Sequence, residues 1–394
     1  MGGLDSLVAS RNRRRPRSLM SGPYSGLRVV DTTGLAGAYA TRLLAGMGAD
    51  VIRLEPPEGS PLRRLGPFAE GIEPPENSLW WSYLAMGSQS VVIDPEDTES
   101  LTKVLAEADV LFEDRLPNTS KLSTQDINPK TIRTRILPFG LTGPKRDWRS
   151  SNLIAWAASG ILYTTGFTDR APVAPAAPVQ LAYHASAASA LVGTLLALRS
   201  RRLTGVAQEV EISMQEAALS IAPETGVPMF MDDRVHRERS GNRRDLGRPF
   251  GLYPCQDGFV SIIVLMPRHW VAMSQWVAEA TDNESIVEEV FADNAVRVEA
   301  RDLIDDWVEE LTQRHTRLEL FEEGQRRGIP ITPVNTIEAL VEDPHLQVAD
   351  FWQTTSLQDD TEVKIPGAPF RSSSAWWSMT PAPRLGQHTD QYLS

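Results

Sequence analysis

Apolar and polar positions fall along this chain in blocks of changing period, and the first block frames the rest. Leu27–Asp31 is a short apolar run ending in an acid, the pattern of a buried parallel strand. Thr32, Thr33 and Gly34 interrupt it. From Gly37 to Met47 the residues are small and apolar, with Arg42 as the charge. That pattern predicts a helix packed closely on a sheet, and Gly48 ends it. Val51–Leu54 is a second strand, closed by Glu55. Strand, helix and strand within about 30 residues make a βαβ unit with a right-handed crossover.

The pattern then repeats. Gly59–Pro75 is rich in Pro and Gly and predicts a loop, with aromatic Leu79–Leu84 beneath it. Ser90–Asp94, Asp109–Glu113 and Thr131–Leu137 predict strands, and Glu96–Ala108 a helix. Leu153–Leu162, the long small-residue stretch Leu181–Arg201 around Gly193, and Met214–Ile221 predict helices, with a strand at Gln208–Ile212. Alternating strands and helices predict an α/β fold with a Rossmann-like, doubly wound parallel sheet. The composition changes after Pro223. Phe250–Pro254 and Gly258–Val264 read as an antiparallel pair around a turn. Helices are expected at His269–Val277, Ser285–Phe291, Ala295–Leu311 and Thr316–Arg327. Ile331–Val334, Ile337–Val341 and His345–Val348 return to α/β character. The expected organisation is a disordered basic arm over 1–24, a large Rossmann-like domain over 25–224 plus 331–394, and a smaller α+β domain inserted at 225–330.

Composition narrows the function classes. The net charge of −12 argues against general nucleic-acid affinity. The single cysteine, Cys255, excludes an internal disulfide and fits a reducing cytoplasm. No apolar run approaches the roughly 20 residues that span a bilayer. The arm carries Arg11, Arg13, Arg14, Arg15 and Arg17 without a following apolar segment, so it does not read as a secretory signal. A phosphate-binding GxxxxGK[ST], HExxH, CxxC and GxSxG are all missing. The six histidines are scattered without metal-ligand spacing, so no metal is expected. Gly34 and Gly37 do not make the three-glycine dinucleotide fingerprint, which argues against NAD or FAD held at Glu55. Residue reasoning alone reaches a two-domain cytosolic α/β protein, short of a reaction.

Eight stretches, in order, carry a resemblance. They are LRVVDTTGLAGAYATRLLAGMGADVIRLEPPEG, SQSVVID, ADVLFEDRLP, FGLTGP, LVGTLLALRSRRLTGVAQEVEISMQEAAL, GIPITPVNTIEAL, GAPFRSS and RLGQHTDQ. Together they resemble the class III CoA-transferases of the CaiB/BaiF type, the family of formyl-CoA transferase, carnitine CoA-transferase and α-methylacyl-CoA racemase. The resemblance implies a large Rossmann-like domain built from both chain ends, a small domain between them, and an interlocked dimer. It implies acyl-CoA and a carboxylic acid as substrates, with CoA passed through an aspartate that forms an acyl anhydride and then a CoA thioester. A carboxylate suits that step because it is nucleophilic at neutral pH without a base.

The resemblance places that aspartate at Tyr183, or at Ala182 on racemase-like spacing. Neither can form an anhydride, and no Asp or Glu lies between Asp169 and Glu209. The racemase His-Asp pair falls on Ser151 and Asn152. Positions implied to meet CoA or substrate include Leu35 and Ala36 of the first turn, Ser88 of the SQS segment, and Asp114 and Arg115 after the fourth strand. Arg53, Arg63, Arg64 and Lys121 are cations able to meet a CoA phosphate, each also readable as a solvated loop charge. Three readings stay open. The chain is the non-catalytic subunit of a heteromer whose homologous partner bears the Asp, with aromatic succinates such as benzylsuccinate as candidate acids. It is an active acyl-CoA racemase- or lyase-like enzyme, a homodimer without such a partner, with altered residues Tyr183 and His184. Or it binds acyl-CoA as a regulator without turnover.

Overall fold

β1 (Arg28–Asp31), β2 (Asp50–Glu55), β3 (Ser88–Val92), β4 (Val110–Glu113), β5 (Ile132–Leu137) and β6 (Glu209–Ser213) form one parallel sheet. The structure is a computed structural model that describes residues 22–116, 118–119, 127–174, 180–221, 239–244, 246–374 and 376–394. The basic cluster of the arm and Lys121 lie outside the described residues. The strand order is β3-β2-β1-β4-β5-β6, the doubly wound order predicted for the α/β class. Val29, Val30, Val110, Leu111 and Phe112 are fully buried. The central strands are therefore covered on both faces, which explains their unbroken apolar runs. Successive connections leave a crevice between β1 and β4, at the strands' carboxyl ends.

The chain divides into two compact units, one comprising Met1–Trp156, Pro178–Ile221 and Phe351–Ser394, the other Ala157–Ala177 and Ala222–Asp350. In the first, α1 (Leu35–Gly46) follows β1, and α2 (Leu79–Leu84) and α3 (Thr98–Leu105) flank β3. α4 (Asn152–Ala158) and α5 (Leu181–Thr204) come after β5, and α6 (Met214–Ser220) directly after β6. α5 packs on α1, β5 and β6. Its approach to β6 depends on Gly193, where a Cβ would fall 2.7 Å from Val210 Cγ1. The Thr194 and Thr134 hydroxyls meet at 2.7 Å beneath it. By length and composition α5 is apolar enough to cross a bilayer, contrary to the sequence expectation. Ala182, Ala187, Ala190 and Ala197 are nonetheless buried against its own unit, while Leu181, Val192, Leu196 and Leu203 face outward, exposed.

The acids that close the first two strands are consumed internally. Asp31 accepts from Thr33 N at 2.8 Å and Thr41 Oγ1 at 2.6 Å, and pairs with Arg53 Nη1 at 2.8 Å. These bonds fix the turn from β1 into α1. Glu55 accepts from Ser60 N at 2.9 Å, Ser90 Oγ at 2.5 Å and Arg63 Nε at 2.6 Å, which ties the predicted loop back to the sheet. The tail also returns here. β10 (Trp352–Ser356) and β11 (Glu362–Pro366) form a hairpin, and Trp81 Nε1 donates to the Pro383 carbonyl at 3.0 Å.

In the second unit β7 (Phe250–Cys255), β8 (Gly258–Ile263) and β9 (Ile331–Pro333) form an antiparallel sheet. Its core includes Tyr253, Val260, Ile262, Trp270, Met273 and Val308. The sequence reads Ile331–Val334 with the α/β part of the chain, whereas β9 pairs with β8. The stretch read as one helix, Ala295–Leu311, is two, Asn294–Glu299 and Arg301–Thr312. Arg297 lies in the last turn before the break. It is buried, stacks on Trp270 at 4.4 Å, and donates to the carbonyls of Phe291 at 2.6 Å and Arg248 at 2.9 Å.

Candidate functional site

A cavity of about 400 Å³ opens at the carboxyl ends of the parallel strands. Leu35 and Ala36, at the start of α1, form one wall, and Asp114 and Leu116, after β4, form the next. Pro138 follows β5, Met214 follows β6, and Tyr183 comes from the first turn of α5. The loop after β2 contributes Pro61, Leu62 and Leu65, and the loop between β5 and α4 contributes Arg149 and Ser150. The site lies at the crevice where strand order reverses, the usual ligand position in such sheets.

Asp114 and Tyr183 are its titratable heart. Asp114 Oδ2 accepts from Gly34 N at 2.8 Å, at the start of α1. Loss of water around the half-buried carboxyl, aided by the charge of Asp31, pushes it up to about 6 despite that bond and the nearby Arg115. Burial raises the Tyr183 phenol, and the Asp114 charge adds to the rise. The Asn152 backbone N–H donates to the phenol oxygen. Asn152 Oδ1 accepts from Ala182 N at 3.0 Å, so the start of α4 caps the start of α5 and fixes Tyr183 at the cavity. The two positions that the resemblance assigned to proton transfer and to acyl transfer are thus neighbours, and both carry neutral side chains.

Of the residues singled out from the sequence, Leu35, Ala36, Asp114 and Tyr183 come together at this cavity. Ala182 is fully buried and faces the protein interior. His184 does not line the cavity. It packs edge-on to Tyr39 at 5.4 Å and near Trp80 at 6.4 Å, and burial lowers its affinity for a proton. Arg53 and Arg63, expected as cations able to meet a CoA phosphate or as solvated loop charges, are buried and paired inside the fold. Arg53 is spent on Asp31, Thr41 Oγ1 at 3.0 Å and the Leu84 carbonyl at 2.8 Å. Arg63 forks onto Glu55, pairs with Glu76 at 2.7 Å and stacks on Trp81 at 3.7 Å. Ser88 is buried and donates to the Ala85 carbonyl at 2.5 Å. Arg64 is exposed and off the cavity, with the Glu58 carbonyl at 3.4 Å. Arg115 lines a smaller recess with Thr32 and Pro56.

The sequence reading missed Arg149, Leu62, Leu65, Pro138 and Met214. Pro138 and Met214 directly follow strands, so the carboxyl-end rule would have found them. Nothing in the loop sequence around Arg149 sets it apart from its neighbours Lys145 and Arg146. Among the described residues no group of three or more His, Cys, Asp or Glu side chains is placed to hold a metal ion.

Comparison with known proteins assigns the scaffold. The description CoA-transferase family III matches residues 24–389. The chain is 32% identical to subunit BbsE of succinyl-CoA:(R)-benzylsuccinate CoA-transferase from Thauera aromatica, covering 95% of this chain and 94% of that one. It is 30% identical to the alpha subunit of succinyl-CoA–L-malate CoA-transferase from Chloroflexus aurantiacus, over 94% and 88% of the two chains. A crystal structure of a CaiB/BaiF family protein from Brucella suis superposes with a TM-score of 0.81 at 25% identity, covering 94% of this chain and 98% of that one. Fold, motif order and these likenesses agree: the chain belongs to CoA-transferase family III.

Proposed function

We propose that this chain is the subunit of a class III CoA-transferase that lacks the acyl-carrying carboxylate, and that it assembles with a homologous subunit that bears one. The observation that carries this reading is the first turn of α5. It offers the cavity a phenol, Tyr183, beside the fully buried Ala182, where the family chemistry needs a carboxylate. The relatives named as transferase subunits support it, as does the outward apolar row Leu181, Val192, Leu196 and Leu203, which a second chain of an interlocked dimer would cover.

In the reading, the partner's carboxylate attacks the thioester carbonyl of an acyl-CoA such as succinyl-CoA and expels CoA thiolate. The thiolate returns to the anhydride, freeing the first acid and leaving CoA on the partner. The incoming acid, of benzylsuccinate type, then takes CoA by the same two steps in reverse. CoA is a substrate, no metal takes part, and the assembly, a heterodimer or heterotetramer, works in a reducing cytoplasm. This chain completes the shared site and holds substrate in place.

A second reading, an active enzyme using altered residues, draws on Tyr183 lining the cavity beside Asp114. His184 supports it less, being packed away from the cavity. One experiment separates the two. The chain is co-expressed with an Asp-bearing homologue, the complex is incubated with succinyl-CoA and hydroxylamine, and each polypeptide is weighed. A hydroxamate on the partner alone is expected. A hydroxamate on an acidic side chain of this polypeptide overturns the proposal, and loss of turnover in Tyr183→Phe with wild-type partner favours the altered enzyme.

A further inference from the structure

Most arginines near the cavity are already committed. Arg53 pairs with Asp31, Arg63 with Glu55 and Glu76, and Arg133 and Arg135 with Glu113. Arg149 differs. It sits on the cavity rim, its side chain is exposed, and among the described residues it has no carboxylate, hydrogen-bond or ring partner. The rest of the lining is largely apolar and includes Leu35, Leu62, Leu65, Leu116 and Met214. A guanidinium is a planar fork that matches a carboxylate bidentately. Set against an apolar wall, it recognises one anionic head and one greasy body.

We propose that the cavity of this chain is itself an acid-binding site, in which Arg149 holds the carboxylate of a small acid and the leucine wall holds its aryl or alkyl body. The place of that acid in a reaction rests on the CoA-transferase reading above; the binding site does not. Two observations orient the ligand. The ionised Asp114 in the same lining repels a carboxylate placed beside it, so the acid's head belongs with Arg149. The volume of about 400 Å³ lies toward the small end of ligand cavities, roughly 300–1,000 Å³, and suits a phenyl- or hexyl-sized acid rather than an entire acyl-CoA. Among the described residues Arg53 and Arg63 are not free to meet the phosphates of CoA, because they are locked inside the fold.

Calorimetry on the full-length chain tests this, with hydrocinnamate as probe and hydrocinnamamide and succinate as comparators. Hydrocinnamate is expected to bind, and Arg149→Gln to weaken it about 10- to 100-fold, the usual worth of a hydrogen bond to a charged group. Arg149→Lys should restore part of the loss. The uncharged amide should bind wild type and Arg149→Gln alike, and succinate, lacking the apolar body, should bind more weakly than hydrocinnamate. Unchanged hydrocinnamate affinity in Arg149→Gln, no binding by the wild type, or succinate binding as tightly as hydrocinnamate each overturns the proposal. Because Arg149 is exposed and has no partner among the described residues, its replacement leaves folding intact. The co-expressed complex keeps the two claims apart. Transfer with an unaltered KM for the acid in Arg149→Gln sinks the acid site and spares the subunit reading. Arg149-dependent binding without transfer in any pairing does the reverse.

Discussion

Replacing Asp114 by Asn should stabilise the protein at neutral pH, an unusual direction for a change at a polar site. The folded carboxyl sits at about 6, above its ordinary 3.8, because burial and the Asp31 charge disfavour ionisation. At 1.36 kcal/mol per pH unit, that difference corresponds to about 3 kcal/mol of penalty carried by the ionised form. Asp114 is only half-buried, and Asn gives a weaker acceptor than carboxylate for the Gly34 N–H. Screening and the weaker bond together reduce the expected net gain to about 1–2 kcal/mol. The folded chain holds this proton more tightly than the unfolded chain. Wild-type stability therefore falls as pH rises from about 4 to about 6 and loses nothing further from this group above that. The advantage of Asp114→Asn should be absent near pH 4, grow through that window and stay constant beyond it. Urea denaturation at fixed protein concentration, at about pH 4.5 and about pH 7.5, measures it. An Asn variant that is no more stable at the higher pH, or whose difference from wild type ignores pH, refutes the assignment of a strained carboxyl to this wall.

Removing the Arg63 guanidinium with Arg63→Met strands Glu55 in the interior and should cost about 3–5 kcal/mol in urea denaturation, whereas the double change with Glu55→Gln should recover much of that. A neutral Arg63→Met would return this residue to the pool of possible ligand contacts. Gly324→Ala would place a Cβ 1.8 Å from Ile331 Cγ2, so the helix Arg317–Arg327 must move off β9; a loss of about 2–3 kcal/mol is expected in thermal unfolding.

The parallel sheet was legible because its strands are covered on both faces, and unbroken runs such as Val110–Phe112 leave few other assignments. Gly193 was legible as a close-packing position because the residues around it are nearly all small. The roles of Arg53 and Arg63 were not. A charged residue after a strand reads as a ligand contact until its partner is known, and those partners, Asp31 and Glu76, lie 22 and 13 residues away. Arg149 was invisible for the opposite reason: what marks it is the absence of a described partner, a property only the assembled fold displays. The inward turn of Arg297 escaped too, since an arginine counts as a solvent-facing helix residue in the pattern but here folds against Trp270.

The division of labour among the arginines bears on how this scaffold can diversify. Arg53 and Arg63 are rivets whose loss loosens the whole first unit, so selection cannot retune them for a new ligand. Arg149 answers to no internal partner among the described residues, and exchanges at that position leave the sheet untouched. Drift in ligand preference is therefore channelled to the outer lip of the crevice, over a frame too tightly bolted to follow.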